Sequence, residues 1–240
     1  MRFENDDNRV LRVIVMDSYF PATQLHTTSN FTQVIIDVVK CHRALHDGPK
    51  ILHRDISMNS LMFRRGKDKR AIGILIDFDL AVFVEIDPQY GSLHLNRRFR
   101  TGAPPFMALD LLDGTDKIHW VRYDLESFLW VTVWYTARYH EGIEATMAFQ
   151  LWRKTNMTQL AVEKNYFLMT TEMYEPTEHF GKVAHWVGSL VYLFVEALHA
   201  RNVLRWKAKY GGGQTSETLD METLGGRVTY QIFLRILEEE

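Results

Sequence analysis

Two acidic residues, Asp55 and Asp77, each follow a short apolar segment of this 240-residue chain. Asp55 lies in residues 51–60, which read Ile-Leu-His-Arg-Asp-Ile-Ser-Met-Asn-Ser, and Asp77 follows the apolar run at residues 72–76 and begins an Asp-Phe-Asp turn. Phosphoryl transfer needs one carboxylate that accepts the proton of the attacking hydroxyl and another that holds magnesium. The two motifs therefore predict a phosphoryl-transfer site.

A single His-Arg-Asp tripeptide recurs by chance, and Arg54 and Asp55 could instead form an ordinary ion pair on a surface turn. Two more motifs follow, Thr-Gly-Ala-Pro-Pro-Phe-Met-Ala-Leu-Asp at residues 101–110 and Tyr-Asp-Leu-Glu-Ser at residues 123–127. In this order the motifs resemble the catalytic loop, metal-binding turn, activation-segment end and buried central helix of protein kinases. The Asp-Phe-Asp variant, with Ser57 where serine/threonine kinases usually carry Lys, resembles the fungal-type protein kinase family.

The resemblance implies phosphorylation of protein Ser/Thr hydroxyls, with ATP and Mg²⁺ as cofactors. It makes Asp55 the catalytic base, with His53 and Arg54 beside it, and Asp77 the ligand of magnesium. The other residues that it assigns are Met16 and Asp17 at the adenine-binding hinge, Ser60 near the cofactor, Asn59 near the metal, and Phe78, Asp79, Thr101, Asp110 and Asp124 in structural or regulatory positions.

The same resemblance gives three of these residues specific partners. Arg54 would bind a phosphorylated or acidic residue of the activation segment through a bidentate contact, and Asp110 would be anchored by an arginine. Asp124 would accept hydrogen bonds from the backbone of the catalytic loop; the alternative is an acidic residue favoured only by the helix dipole. The candidate phosphosites are Tyr90, Ser92 and Thr101.

The chain departs from the kinase pattern at several positions. Ser60 replaces the Asn that holds a second magnesium, Asn59 lies one position early, and Ala103 replaces a Thr whose hydroxyl steadies the catalytic Asp. Residues 1–47 contain no glycine, and a Gly-rich loop, a strand Lys and a helix Glu are not recognised. We therefore expect a kinase that is truncated or inactive on its own; the alternative is a non-catalytic, kinase-like (pseudokinase) module that binds a protein partner.

The expected fold is mainly α with a few short strands, in the form of a protein kinase-like C-terminal lobe. Residues 1–20 would be a remnant of the last N-lobe strand, at residues 10–15, and the hinge. Residues 21–240 would be a single helical domain. Within it, residues 61–63 and 72–76 are predicted to be strands joined by a basic turn.

Apolar residues at helical spacing predict helices at residues 31–46, 123–139, 181–201 and 228–237. The first is expected to be capped by Asn30 or Ser29 and stopped by Gly48. The second is apolar on nearly every face, which indicates a buried helix. Cys41 is expected on the core face of the first helix. His42 and His46 are interpreted as core and surface residues and not as metal ligands.

Composition restricts the partners. A net charge of −2 argues against nucleic-acid binding, and a single cysteine precludes an internal disulfide. The longest apolar stretches, near residues 128–137 and 187–198, fall short of the roughly 20 residues of a membrane span. The first residues lack the apolar core of a signal peptide. We expect an intracellular, cytoplasmic protein with a protein substrate or partner and no membrane contact.

Overall fold

The computed structural model describes residues 17–68, 70–86, 93–94, 102–114, 118–154, 156–170, 174–211 and 220–239. This part of the chain is mainly α-helical with short strands, which confirms the predicted class. The predicted strand at residues 10–15, the hinge residue Met16 and the candidate phosphosites Tyr90, Ser92 and Thr101 lie outside it.

Most of the described strands lie in the first half of the chain, after the first α-helix, and helices dominate the second half. The α-helices are α1 Thr28–Asp47, α2 Leu109–Asp113, α3 Val121–Arg138, α4 Met157–Met169, α5 Ala184–Tyr210 and α6 Tyr230–Glu238. The strands are β1 Phe20–Pro21, β2 Ile51–Leu52, β3 Leu61–Arg65, β4 Ala71–Leu75, β5 Val82–Phe83, β6 Glu85–Ile86, β7 Leu93–His94, β8 Tyr139–His140 and β9 Ile143–Glu144. Short 3₁₀ helices span Ala22–Gln24, Pro104–Phe106, Gln150–Arg153 and Glu178–Val183.

Helix α1 begins earlier than its apolar pattern indicates. Its N-cap is Thr27, whose hydroxyl accepts a hydrogen bond from the Asn30 N–H at 3.2 Å, so the predicted cap at Asn30 or Ser29 is wrong. Gly48 is the C-cap, as predicted. Cys41 is exposed, which corrects its placement in the core. At 100° per residue, Cys41 lies about 90° from the middle of the buried face, at its margin.

Helix α3 is the centre of the core. All of its residues are buried, which confirms the predicted buried helix. Phe128, Trp130 and Trp134 have no exposed surface. A helix that is apolar on nearly every face must be covered on every side, and α1, α5 and the 3₁₀ helix Pro104–Phe106 pack around it.

Strands β3 and β4 form the predicted hairpin and lie against α1. They pair antiparallel, with Leu61 opposite Leu75, and β1 adds to the other side of β3. Gly73 lies so close to α1 that an added Cβ would come within 2.6 Å of the Val34 carbonyl oxygen. The Gly73 N–H also donates to the Asp37 carboxylate at 2.9 Å. This contact fixes the strand that leads into Asp77.

The last two helices differ from their predicted bounds: α5 extends further and α6 begins later. The predicted helix at residues 181–201 is α5, which continues to Tyr210. The predicted helix at residues 228–237 is α6, which begins at Tyr230 after a Thr229 N-cap.

The helical segment Glu178–Tyr210 has 33 residues, and 39% of its most apolar part is buried. By length and composition alone it could cross a membrane, a test that core helices also pass. The argument from short apolar runs therefore does not hold for this segment.

Candidate active site

The carboxylate of Asp124 holds the start of the candidate catalytic loop. The loop follows β2, which pairs with β5. The His53 N–H donates to Asp124 Oδ2 at 3.0 Å, and the Arg54 N–H donates to both carboxylate oxygens at 3.2 Å. These are the hydrogen bonds that the kinase resemblance led us to expect. They fix the backbone that enters Asp55.

Two histidines hold Asp124 from the other side. His42 Nε2–H and His119 Nε2–H each donate to its carboxylate at 2.8 Å. The second nitrogen of His42 contacts the Tyr230 hydroxyl at 2.5 Å. Burial alone would raise the pKa of Asp124, but the charges and hydrogen bonds of His119 and His42 outweigh it and hold the pKa well below its usual value. Asp124 is therefore a buried carboxylate that stays ionised.

The side chain of Asp55 is held by the backbone of Ala103. The Ala103 N–H donates to Asp55 Oδ1 at 3.0 Å. Ala103 occupies the position where a threonine hydroxyl was expected from the kinase pattern, so a backbone group makes a contact that the side chain cannot. Gly102, with φ of 113°, lets the backbone pass close to Asp55. Asp55 is half-buried and keeps part of its surface open to solvent.

His53 links the candidate catalytic loop to the Asp-Phe-Asp turn. Its Nε2–H donates to the Ile76 carbonyl at 2.9 Å, and its Nδ1 accepts the Asp55 N–H at 3.3 Å. Its ring lies 4.7 Å from the ring of Phe78. Burial lowers the pKa of His53. A neutral ring with one donor and one acceptor fits these contacts.

Both turns carry an unusual backbone conformation. Arg54 has φ of 70° and Asp77 has φ of 68°, the left-handed region that non-glycine residues rarely adopt. Such strain is retained where the surrounding structure demands it, often at functional sites. The side chains of Asp77, Phe78 and Asp79 are exposed, so two carboxylates of this turn face solvent.

The end of the candidate catalytic loop does not present the metal ligand that the kinase pattern requires there. Ser60 is fully buried; its hydroxyl accepts the Ser57 N–H at 2.9 Å and donates to the Ser57 carbonyl at 3.0 Å. This hydroxyl is used within the turn and is closed to solvent. Asn59 is exposed, and its N–H donates to the Ser57 hydroxyl at 3.2 Å.

Asp110 is anchored by arginines, as the resemblance led us to expect. Arg122 donates to it at 2.6 Å, Arg201 binds its other oxygen, and Arg205 lies at 3.5 Å. Burial would raise the pKa of Asp110, but the guanidinium groups of Arg122 and Arg201 outweigh it and hold the pKa below its ordinary value. The segment that follows Ala103 therefore ends in a buried ion cluster.

A second buried cluster, which sequence reasoning missed, holds the same segment. Lys164 Nζ donates to the Met107 carbonyl at 2.6 Å, and Glu126 Oε1 accepts the Leu109 N–H at 2.8 Å. Burial lowers the pKa of Lys164 and raises that of Glu126. The sequence did contain one signal for this cluster. Glu126 is a charged residue in a helix predicted to be buried, and a buried charge needs a partner.

Arg54 and Asp17 are placed differently from their expected roles. Arg54 is only 4% exposed and already interacts within the fold, which removes the argument for a phosphosite in the activation segment that rests on this arginine. Asp17 is exposed at the beginning of the described residues. Thr101 and Met16 lie outside them.

The family described as "Fungal protein kinase" matches residues 3–136. The chain belongs to this family. The match confirms the resemblance drawn from the sequence motifs, since Asp55, Asp77, Asp110 and Asp124 all lie within it. A comparison with curated proteins returns no match.

Proposed function

We propose that the described helices form the C-terminal lobe of a kinase fold, and that Asp55 and Asp77 are its phosphoryl-transfer residues. The observation that supports this proposal most strongly is the dual restraint on the candidate catalytic loop. Its backbone donates to the ionised Asp124, and the Asp55 carboxylate accepts the Ala103 N–H. A base that is positioned in advance is what this chemistry requires of the protein, because phosphoryl transfer depends mostly on positioning and charge neutralisation.

In this proposal, Asp55 accepts the proton of a protein Ser or Thr hydroxyl through the carboxylate oxygen that Ala103 does not occupy. Asp77 would hold a single magnesium ion, since its exposed carboxylate is the oxygen ligand that Mg²⁺ prefers. A bound Mg²⁺–ATP would supply the transferable phosphate and neutralise its charge. Ser60 does not fit the role of a second magnesium ligand, because its hydroxyl is buried and used by Ser57.

We expect the isolated chain to transfer phosphate slowly, for two reasons. Residues 1–47 contain no glycine-rich segment to cover the phosphates, and Ser60 leaves the second metal position without its usual ligand. ATP should therefore bind the isolated chain weakly. Fusion to a complete N-lobe of a related kinase should restore nucleotide binding.

Calorimetric titration of Mg²⁺–ATP beside a radiolabelled phosphotransfer assay tests this proposal, on the chain alone and on the fusion. The fusion should transfer phosphate, and Asp77→Ala should abolish the transfer. Asp79→Ala is the matched control, because Asp79 is an exposed carboxylate of the same turn. Micromolar binding and Asp77-dependent turnover by the isolated chain would contradict low activity. Equal losses in the two variants would contradict the role of Asp77.

A second candidate function is a non-catalytic module that binds a protein partner. The observation that favours it is the exposed pair Trp206 and Tyr210 on α5, which are 68% and 63% exposed with ring centroids 5.0 Å apart. Aromatic residues are enriched at protein interfaces. If the fusion binds no nucleotide and transfers no phosphate, this function becomes the better account of the chain.

A further inference from the structure

Three potential metal ligands meet on the side of the fold where α3 ends. His140 and Glu141 lie in the β8–β9 hairpin, and His179 lies in the 3₁₀ helix Glu178–Val183. One ligand atom from each of the three side chains lies within 4.8 Å of the other two. The rings of His140 and His179 are 5.2 Å apart, centroid to centroid. Two imidazoles and a carboxylate are a ligand set that zinc takes in proteins.

The two segments that carry these ligands are tied to one another through the backbone. The Thr177 N–H donates to the Thr136 carbonyl at 2.9 Å, and the Thr177 hydroxyl donates to the Tyr139 carbonyl at 2.7 Å. These bonds hold Thr177, two residues before His179, beside Tyr139, the residue before His140. The ligands are therefore brought together by the fold and not by chance contact of two mobile loops.

The turn that carries Glu141 has its own support. The ring of His26 donates from Nδ1 to the Glu141 carbonyl at 2.9 Å. Gly142 follows with φ of 80°, and a Cβ added there would lie 3.4 Å from the same His26 ring. Groups that orient ligands from outside the coordination sphere are a regular part of metal sites.

One ring nitrogen of His179 lacks a hydrogen-bond partner among the described residues. This nitrogen, Nε2, is buried. A buried polar atom of this kind calls for an explanation, of which an unseen ion is one. A neutral imidazole nitrogen that no protein donor occupies is able to bind a cation.

We propose that His140, Glu141 and His179 bind one Zn²⁺ ion. Zinc bonds of about 2.0–2.1 Å at tetrahedral angles place ligand atoms about 3.3 Å apart. Binding would draw the three ligand atoms closer than their present spacing of up to 4.8 Å. Water completes the coordination, because three protein ligands leave the fourth tetrahedral position open.

The ion would join the β8–β9 hairpin to the segment that leads into α5. It would be separate from the magnesium proposed at Asp77 and would act on stability, because a ligand that binds only the folded chain shifts the unfolding equilibrium. Its ligand types differ as well: imidazole nitrogen suits zinc, whereas magnesium prefers oxygen.

The test uses the full chain without an affinity tag, treated with a chelator and then titrated with Zn²⁺ against a chromophoric competitor. We expect one ion per chain and a rise in Tm with zinc that an excess of Mg²⁺ does not produce. His140→Ala, His179→Ala and Glu141→Gln should each weaken binding by more than about 100-fold, because even outer contacts to a metal site are worth 10–100-fold. His199→Ala is the matched control, since His199 is exposed on α5 and is not one of the clustered ligands.

Glu141→Gln keeps the shape of an exposed side chain, and it therefore decides the outcome if either histidine variant fails to fold. The proposal is overturned if the wild-type chain binds no zinc, or if folded Glu141→Gln binds it as tightly as wild type. It is also overturned if His199→Ala loses the ion to the same extent. The proposal is supported if the folded ligand variants lose zinc binding and the His199→Ala control keeps it.

Discussion

The carboxylate of Asp124 stands between the candidate catalytic loop and two buried histidines. It accepts the backbone N–H groups of His53 and Arg54 on one side, and His42 and His119 donate to it on the other. An ionised group in such a position contributes to stability because its neighbours satisfy its charge. The same group would be costly if those neighbours were removed.

Asp124→Asn should lower the free energy of unfolding by about 3–5 kcal/mol at pH 7, because it breaks a buried network of charge and hydrogen bonds. The folded-state pKa of Asp124 lies well below its usual value. Its contribution is therefore complete above the unfolded pKa of about 3.9 and is lost as the pH falls below it. Urea denaturation should show the gap between wild type and variant narrowing below about pH 4.

Asp79→Asn serves as the control for this pH series, since Asp79 is exposed. It should change the free energy of unfolding by less than about 0.5 kcal/mol at any of these pH values. A gap between wild type and Asp124→Asn that stayed constant from pH 7 to pH 3 would mean that Asp124 is not the titrating group.

At the scale of elements, α3 carries the core, and Trp134 is its most informative residue. Phe106 packs edge-on against Trp134 at 5.7 Å, and Arg138 lies over the Trp134 ring at 4.4 Å. Trp134→Ala should lower the free energy of unfolding by about 3–5 kcal/mol, the usual range for removing a buried aromatic ring. Thermal and urea denaturation measure this loss.

Trp134→Phe is the matched comparison. The Trp134 Nε1–H makes no hydrogen bond within the described residues, so the ring and not the indole N–H should account for most of the effect. We expect the Phe variant to lose clearly less stability than the Ala variant. An unchanged Tm in Trp134→Ala would show that α3 is not the buried centre of this fold.

The elements that could be predicted from sequence are those whose pattern is local. Helix α3 is apolar on nearly every face, and β3 and β4 are short apolar runs on either side of a basic turn. The cap of α1 was missed because Thr27, Ser29 and Asn30 are all suitable residues, and only the backbone conformation decides between them.

The buried clusters depend on contacts between distant parts of the chain. Lys164 is 57 residues from Met107, whose carbonyl it binds, and Arg201 is 91 residues from Asp110. No periodicity in the sequence encodes such a pairing. The motif residues Asp55, Asp77, Asp110 and Asp124 could be found because the family pattern names them. The residues that hold them in place could not.

At the scale of the whole molecule, the C-terminal helix reaches the candidate catalytic loop through two side chains. Tyr230, the first residue of α6, contacts His42, and His42 donates to Asp124. Tyr230→Phe should therefore loosen the loop and speed hydrogen exchange at the His53 and Arg54 amides. The increase should be about 2- to 10-fold, which corresponds to one hydrogen bond of about 0.5–1.5 kcal/mol.

Tyr192→Phe is the control for this exchange experiment. Tyr192 is 61% exposed and donates to Glu196, one turn along the same helix. Tyr192→Phe should leave hydrogen exchange at the His53 and Arg54 amides unchanged. If Tyr230→Phe also leaves them unchanged, α6 has no influence on the loop.

The family match ends at residue 136, within α3. Arg201, Lys164 and Tyr230, which anchor its motif residues, all lie beyond that point. A gene fragment cut to the matched residues would keep Asp55 and Asp77, the candidate catalytic residues. It would discard the partners of Asp110, Met107 and His42. Its expression product would expose one side of α3 to water and to other copies of itself. Recombinant design for this family should therefore take its boundaries from the anchoring residues and not from the signature.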